Sequence, residues 1–512
     1  VRRLKKAFKI LALLLVLLVL AGGAFFVHVW YFKPYDINLF FARTAAQFAL
    51  DSPELLSTLR VLEPLGITFH NDDLDDESIA AGDRMFARIR NAREVLLSYD
   101  DEDLDATDRR SKDVMLGLLD ILVEAERFRF HTYPVNQMFG VQNGFPTFMK
   151  DVHQVNDVGD AEDYVTRLSK VGVKFDQVLE GLHHREQLGI LPPQFLVDEV
   201  LEEMIGFTET PVEEGILYTA LALKMEKAQI EGSERARLLA EARREIEGTV
   251  YPAYGRLIDY FHEIDPKVEG SYGVWNLPDG DELYRLALRL FTTTDYSPQQ
   301  IHEIGLSEVE RIEGEILEIL EAEGRDVSGG FGAAMTALKE DPTFYYPDTD
   351  EGREAILRDY RAILEEVEAG LDDAFDVRPK AALEVRREAA FKEKTAPGAH
   401  YEMPAMDGSR PGGFVVNLYD IKATPKYTMR TVAYHEGVPG HHFQIALQME
   451  QENLPFFRRL IPFPAYSEGW GLYAERLAWE LGFEDDPYEN VGRLQAELFR
   501  AVRLVVDTGI HH

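Results

Sequence analysis

A run of apolar residues from Ile10 to Phe32, broken only by Gly22, Gly23 and His28, constrains this chain more than any other feature. At ~1.5 Å of rise per residue it reaches roughly 35 Å as a helix, enough to cross a bilayer core. Lipid offers the backbone no water to bond with, so a helix is the conformation open to such a segment. Arg2, Arg3, Lys5, Lys6 and Lys9 precede the run. That basic flank stays in the cytoplasm and puts everything after Lys33 outside. Ile10–Leu20 followed by Gly22-Gly23-Ala24 also fits a cleavable signal peptide. Hydrophobicity that continues through Phe25-Phe26-Val27 and Val29-Trp30-Tyr31-Phe32 favours an uncleaved anchor. The expectation is an envelope protein, anchored in the inner membrane with a periplasmic main domain, or secreted if the N-terminus is cleaved.

Against 54 Lys and Arg stand 90 Asp and Glu, a formal charge of −36. Such a surface repels nucleic acid and anionic headgroups, which excludes nucleic acid as a partner and leaves the N-terminal helix as the route to a membrane. It is compatible with neutral or cationic peptides. Cysteine is absent. Disulfides, thiolate nucleophiles, Cys-type zinc sites and the lipidated cysteine of a bacterial lipoprotein are therefore excluded together, and any transition-metal site must combine His with Asp or Glu.

Past the anchor the periodicity is helical. Ser297-Pro298-Gln299-Gln300 reads as a helix start, with Ser as N-cap and Pro at the first helical position. Ile301, Ile304, Val309, Ile312, Ile316 and Ile319 follow at helical spacing. Asp350–Phe375 repeats the pattern, as do Ser111–Phe130, Ala161–Gly181 and Gly232–Phe261. The clearest strand is Gly413–Tyr419, after the Gly/Pro-rich stretch from Thr395 to Gly412. Pro266, Gly270, Gly273, Pro278 and Gly280 mark a boundary. The chain thus divides into an N-terminal anchor (1–32), a helical N-terminal lobe (33–270) and a C-terminal lobe (271–512) that carries the chemistry.

That chemistry centres on Tyr434-His435-Glu436-Gly437-Val438-Pro439-Gly440-His441-His442. A zincin helix places two His at i and i+4, where both imidazoles reach one ion. Here the second His comes at i+6 or i+7, which on an unbroken helix is about 120° away or ~10 Å along the axis. Pro439 and Gly440 break or bulge the helix between them. A bulge absorbing two residues brings His441 into the ligand position; one absorbing three brings His442. Taken alone, the motif also fits a helix C-terminus with surface histidines.

A third ligand comes from Tyr466-Ser467-Glu468-Gly469-Trp470-Gly471-Leu472-Tyr473-Ala474-Glu475, which opens a further helix with Ser467 as its expected N-cap. Glu468 would complete a set with His435 and either His441 or His442, and Glu475, at i+7 on the same face, suits the task of orienting a ligating imidazole, though among 90 acidic residues each taken singly also fits an exposed carboxylate. His442 is the alternative ligand.

From about Phe40 onward the chain resembles the bacterial domain-of-unknown-function 885 family, grouped with gluzincin-type peptidases. The resemblance rests on Tyr133-Pro134-Val135-Asn136-Gln137, Gly273-Val274-Trp275-Asn276-Leu277-Pro278-Asp279-Gly280, Thr292-Thr293-Thr294-Asp295, Asp407-Gly408-Ser409-Arg410-Pro411-Gly412, the His435–His442 block and Ser467-Glu468-Gly469-Trp470. The family pattern His-Glu-x-x-Pro-Gly-His falls on His435, Glu436 and His441, which favours His441 over His442. It implies a mostly α, bilobed gluzincin- or oligopeptidase-like fold with a deep channel and a small β element beside the active-site helix. Members continue past the segment matching Val505-Val506-Asp507-Thr508-Gly509, so the C-terminal lobe reads as truncated. Val1 reads as an unusual start codon or an incomplete gene model.

The expected activity is zinc-dependent peptide hydrolysis, with a Zn2+-bound water attacking and Glu436 as general base. Arg410 is a candidate for holding a substrate carboxylate, and Asn417 for holding peptide backbone by strand addition. Tyr434 and Tyr466 are lesser candidates as oxyanion donors, with buried packing the plainer role for each. His400, His183 and His184 read as structural or surface residues. A degenerate metal- or peptide-binding envelope protein and a zinc amidase acting on the cell wall are the competing functions.

Overall fold

Despite Gly22, Gly23 and His28 in the apolar run, α1 (Arg2–Tyr31) is helical through its whole length. It is long and apolar enough to cross a membrane, a test that a signal sequence also passes, and none of its span is buried. The structure, a computed structural model, describes residues 2–268, 272–388, 393, 396–404, 406, 410–461 and 463–512, the side chains of residues 2 and 4 excepted. Gly270, Thr395, Asp407, Gly408 and Ser409 of the sequence signals lie outside the described residues.

The chain forms two units. The first comprises residues 1–272 with 276–280 and 455–457. Its core is built on α2 (Val158–Gln187), whose Ala161, Tyr164, Leu168, Val171, Phe175, Val178 and Leu182 return to one face at three- and four-residue spacing. They pack against α3 (Tyr251–Ile264) through Tyr254, Leu257 and Phe261. The helix expected over Gly232–Phe261 is continuous through a widened turn at Ile246–Val250. That expected over Ser111–Phe130 starts earlier, at Ala106, where the Asp105 carboxylate accepts from the amides of Thr107 and Asp108. Arg167 is buried on α2 yet fully engaged: it donates to the carbonyls of Asp73 and His70, to Ser57 Oγ and to His153 Nδ1.

The second unit comprises residues 273–275, 281–454 and 458–512. α4 (Pro298–Ala322) begins as its sequence dictates: Ser297 Oγ accepts from the Gln300 amide at 3.2 Å while the Gln300 side chain accepts from the Ser297 amide at 2.9 Å. Ile312, Ile316 and Leu320 of α4 pack with Ala334 and Leu338 of α5 (Phe331–Glu340) and with Val491, Leu494 and Leu498 of the last helix. The helix expected over Asp350–Phe375, α6, ends at Gly370, a weak helix former followed by a turn.

Beyond α6 lie three short strands, β1 (Leu383–Arg387), β2 (Ala399–Glu402) and β3 (Gly412–Val416), ordered β1-β3-β2 with β1 parallel and β2 antiparallel to β3. All five β3 residues are buried, and the Phe414 ring meets Tyr360 of α6 edge-on at 4.9 Å. The strand expected over Gly413–Tyr419 stops at Val416 because Asn417 turns the chain. Its Nδ2 donates to the carbonyls of Glu393 and Ala396, and its Oδ1 accepts from the Tyr419 amide.

A buried carboxyl sits in this unit's core. Glu484 is 6% exposed and accepts from Thr431 Oγ1 at 3.4 Å. Burial pushes its pKa up to about 8 despite the opposing Arg493. The folded state therefore holds a proton that the unfolded chain releases, so this group's stabilisation is complete below pH ~4.5 and is lost as pH rises through about 8. Replacing Glu484 by Gln should stabilise the fold at pH 9 by on the order of a few kcal/mol, read as a raised calorimetric midpoint, and change its stability little at pH 4.5. Equal effects at both pH values would refute the buried-acid account.

Candidate metal centre

α7 (Lys426–Glu436) ends on the His-Glu pair, and α8 (His441–Met449) begins on the second histidine. Between them Gly437–Gly440 leaves the helical path, with a cis peptide at Val438–Pro439. The break expected at the proline is present and sets the His435 and His441 rings 4.5 Å apart. Gly440 makes this approach sterically feasible: a Cβ there would lie 2.1 Å from the His435 carbonyl oxygen and 2.2 Å from that of Tyr434.

α9 (Pro464–Glu480) closes the site. Its first helical residue is Pro464, so Ser467 falls inside the first turn and is not the N-cap, which is Phe463. Pro464 starts the helix four residues early because its fixed φ suits that position. The Trp470 indole donates to the Pro439 carbonyl at 2.8 Å, tying α9 to the break. At Gly471 a Cβ would lie 2.5 Å from a ring carbon of His435, so the missing side chain lets α9 rest against the imidazole.

Two carboxylates on one face of α9 then reach His435. Glu468 lies 3.5 Å from His435 Nε2 with one oxygen and 3.5 Å from His441 Nε2 with the other. Glu475, 1% exposed, accepts from His435 Nδ1 at 2.8 Å. The ligand atoms of His435, His441 and Glu468 all lie within 4.8 Å of one another. Ligands of a tetrahedral ion at about 2.0–2.2 Å sit roughly 3.3–3.6 Å apart, which the carboxylate–imidazole separations match. With Nδ1 bonded to Glu475, His435 presents Nε2 as its free donor atom. Two imidazoles and a carboxylate are a donor set that suits a divalent transition metal.

The electrostatics favour a cation. Burial alone would lower the His435 pKa, but Glu468 and Glu475 outweigh it and hold the imidazole at about 9. The bonds to His435 and His441 hold the Glu468 carboxyl well below its usual range. Glu436 goes the other way: burial raises it, against the pull of His435 and His441. Glu436 and Glu468 line a cavity of about 670 Å³ together with Arg500 of α10 (Pro487–His511).

Residues 62–512 match the family described as bacterial protein of unknown function, DUF885. The chain belongs to the DUF885 family. A crystal structure described as "the putative lipoprotein from Colwellia psychrerythraea" is 32% identical, with a TM-score of 0.88 over 93% of this chain and 83% of that one. The structure of "a putative lipoprotein of unknown function from Shewanella oneidensis" is 14% identical with a TM-score of 0.65 over the same shares, a likeness of fold alone. No curated protein matches the chain.

In this DUF885 protein the remaining candidates sit elsewhere. His442 turns from the cluster toward the sheet: Nε2 is 3.1 Å from the Ala381 carbonyl and Nδ1 is 3.1 Å from Tyr401 Oη. Both ring nitrogens have partners, so it packs the site and does not ligate in this geometry. Arg410 is exposed, donates to the Met403 carbonyl at 2.8 Å and is not in the cavity wall. Asn417 follows a strand with neighbours on both edges, and its amide secures the adjoining loop, so strand addition there has no open edge. Tyr434 is buried, accepting from Arg430 and donating to the Phe483 carbonyl, whereas Tyr466 is exposed instead of packed. His400 lies 3.5 Å from Glu402 on β2, and His183 is exposed beside Glu186.

Arg500 escapes sequence reasoning. Its guanidinium lies 3.0 Å from both Glu475 Oε1 and His435 Nδ1. An Nδ1–H that donates to Glu475 cannot also accept, so the productive bond is to the carboxylate. Nothing in the sequence distinguishes this arginine on a helix of ordinary amphipathic pattern. It holds Glu475, which holds His435. Removing either outer member should weaken cation binding about 10–100-fold, as carboxylates behind ligating histidines do. Chelator competition with Glu475→Gln and Arg500→Ala measures this. His441→Asn should lose high-affinity binding and His442→Asn should keep it; the reverse order would overturn the assignment.

Proposed function

We propose that the protein is a zinc-dependent peptidase of the cell envelope, hydrolysing peptide bonds at the cluster of His435, His441 and Glu468. The observation that carries this reading is the convergence of those three ligands from separate helices, with Glu468 sharing one cavity wall with Glu436. The gluzincin likeness of the motif supports it, and the membrane-competent N-terminal helix and the relatives described as lipoproteins support an envelope location.

His435, His441 and Glu468 would hold Zn2+, which when bound acts as a Lewis acid toward water and a carbonyl. Glu436 is next to a ligand in sequence and faces the cavity. Its raised pKa brings the carboxyl closer to the working pH of a general base. It takes the proton of the attacking water and returns it to the leaving amine. Glu475 and Arg500 fix the ring of His435, so the ligand needs no reorientation when charge develops.

Glu436→Gln should leave zinc content intact and lower kcat by about 10³-fold or more, the scale of a lost general base with positioned water. A peptide-library digest by the full chain, with muropeptides as a parallel arm, checks this. Cleavage at undiminished rate by the variant would sink the assignment of Glu436.

A further inference from the structure

The cavity beside the cluster is neither uniformly polar nor closed. α5 contributes Phe331 and Met335, an i,i+4 pair on one helix face, and α10 contributes Phe499 and Val502. Phe499 is 63% exposed and Val502 38%, so both hold apolar surface open to water in the wall of a catalytic-type cleft. Exposed apolar area of this kind gains free energy when a ligand's apolar group covers it. The charges in the wall divide differently. Glu436, Glu468 and Arg500 belong to the cluster already described. Arg503 does not: it is exposed, its guanidinium lies 5.7 Å from the Phe499 ring centroid, and among the described residues no carboxylate pairs with it. Arg503 stands one helical turn beyond Arg500, about 4.5 Å along the axis. An unpaired guanidinium beside an aromatic face is available to a planar carboxylate.

We propose that the substrate is a peptide with a large apolar side chain next to the cleaved bond and a carboxylate within about two residues of it. The apolar group would seat against Phe331, Met335 and Phe499, and the carboxylate against Arg503. This inference rests on the peptidase reading and adds its substrate class. An acidic side chain and a free C-terminus offer the same carboxylate chemistry. The strong negative charge of the whole chain makes the local preference opposite in sign to the long-range field, so it acts on bound peptide and not on the rate of encounter.

Fluorescence anisotropy of labelled peptides on the full chain in lipid nanodiscs, carrying Glu436→Gln so that none is cut, reads the proposal without catalysis. Peptides of one length carry Leu, Phe or Ala at each position and end in a free acid, in an amide, or in an amide with an internal Glu. Leu and Phe peptides should bind at least tenfold tighter than Ala peptides, and carboxylate-bearing ones severalfold tighter than the plain amide. Phe499→Ala should remove most of the apolar preference and Phe499→Leu should keep it. Arg503→Ala should erase the acid preference while the apolar one persists. Tight binding of the internal-Glu amide identifies a side chain as the carboxylate source; its failure beside a tightly bound free acid identifies the C-terminus. Equal affinity for Leu and Ala peptides, or preferences untouched by Phe499→Ala and Arg503→Ala, overturns the proposal. Cleavage by the chain with Glu436 is scored separately: selective binding without cleavage defeats the peptidase reading, and cleavage without selectivity defeats the substrate class alone.

Discussion

The approach of two carbonyl oxygens to Gly440 is the contact on which the site depends. No residue with a Cβ fits 2.1 Å from one carbonyl and 2.2 Å from its neighbour, so the start of α8 can fold back on the end of α7 at this residue type alone. On a straight helix, His435 and His441 would lie about 9 Å apart along the axis and point 120° from each other. The fold-back brings their rings to 4.5 Å. A second steric allowance works the same way at Gly471, where α9 comes close enough to deliver Glu468 to both imidazoles. The cluster is thus made available by absent side chains before any attraction acts.

Attraction then fixes orientation. Arg500 on α10 bonds Glu475 on α9, and Glu475 bonds His435 on α7, so three helices meet through one buried carboxylate. On the far side, His442 reaches Ala381 and Tyr401 and secures α8 to the sheet. Behind it, Phe414, Val416 and Val385 pack with Tyr360, Ala433 and Tyr434, a core that keeps α7 from sliding against the strands. A ligand set held from helix, sheet and core together can tolerate little displacement, which is what a preformed site requires.

What was legible in the sequence was local. The Ser297–Gln300 cap, the break at Pro439-Gly440 and the His-Glu spacing are all decided within a few residues, and each reads directly from residue chemistry. Glu468 was legible through its place after the histidine motif, and Glu475 through its seven-residue spacing from Glu468, which fixes a shared helix face whatever the helix packs on. β1 and β2 were not legible: Leu-Glu-Val-Arg-Arg and Ala-His-Tyr-Glu become strands by pairing with β3, not by their own pattern. Arg500 was hidden for the same reason, since its partner lies on another helix. Asn417 misled because a buried apolar run announces a strand without saying whether it is central or at an edge. Ser467 misled because a good N-cap residue lost to a proline three positions earlier.

Two glutamates of opposite character border the same cavity, and the difference follows from what surrounds each. Glu468 faces two imidazoles and solvent, so its carboxylate is held ionised, which suits the proposed role of ligand and not that of proton carrier. Glu436 lies one residue from His435 but is half-buried in the cavity wall, and burial raises its pKa although both histidines oppose the shift. A carboxyl whose proton affinity is raised can accept a proton from water and still give it up to an amine. A carboxyl locked as an anion by two imidazoles cannot do this at the same pH. If the roles were exchanged, with Glu468 the proton carrier and Glu436 the ligand, the base would be the group least able to hold a proton. The ligand would also be the one least able to stay charged. The environments of the two side chains therefore assign the roles in the proposed reaction more tightly than their positions in the motif do.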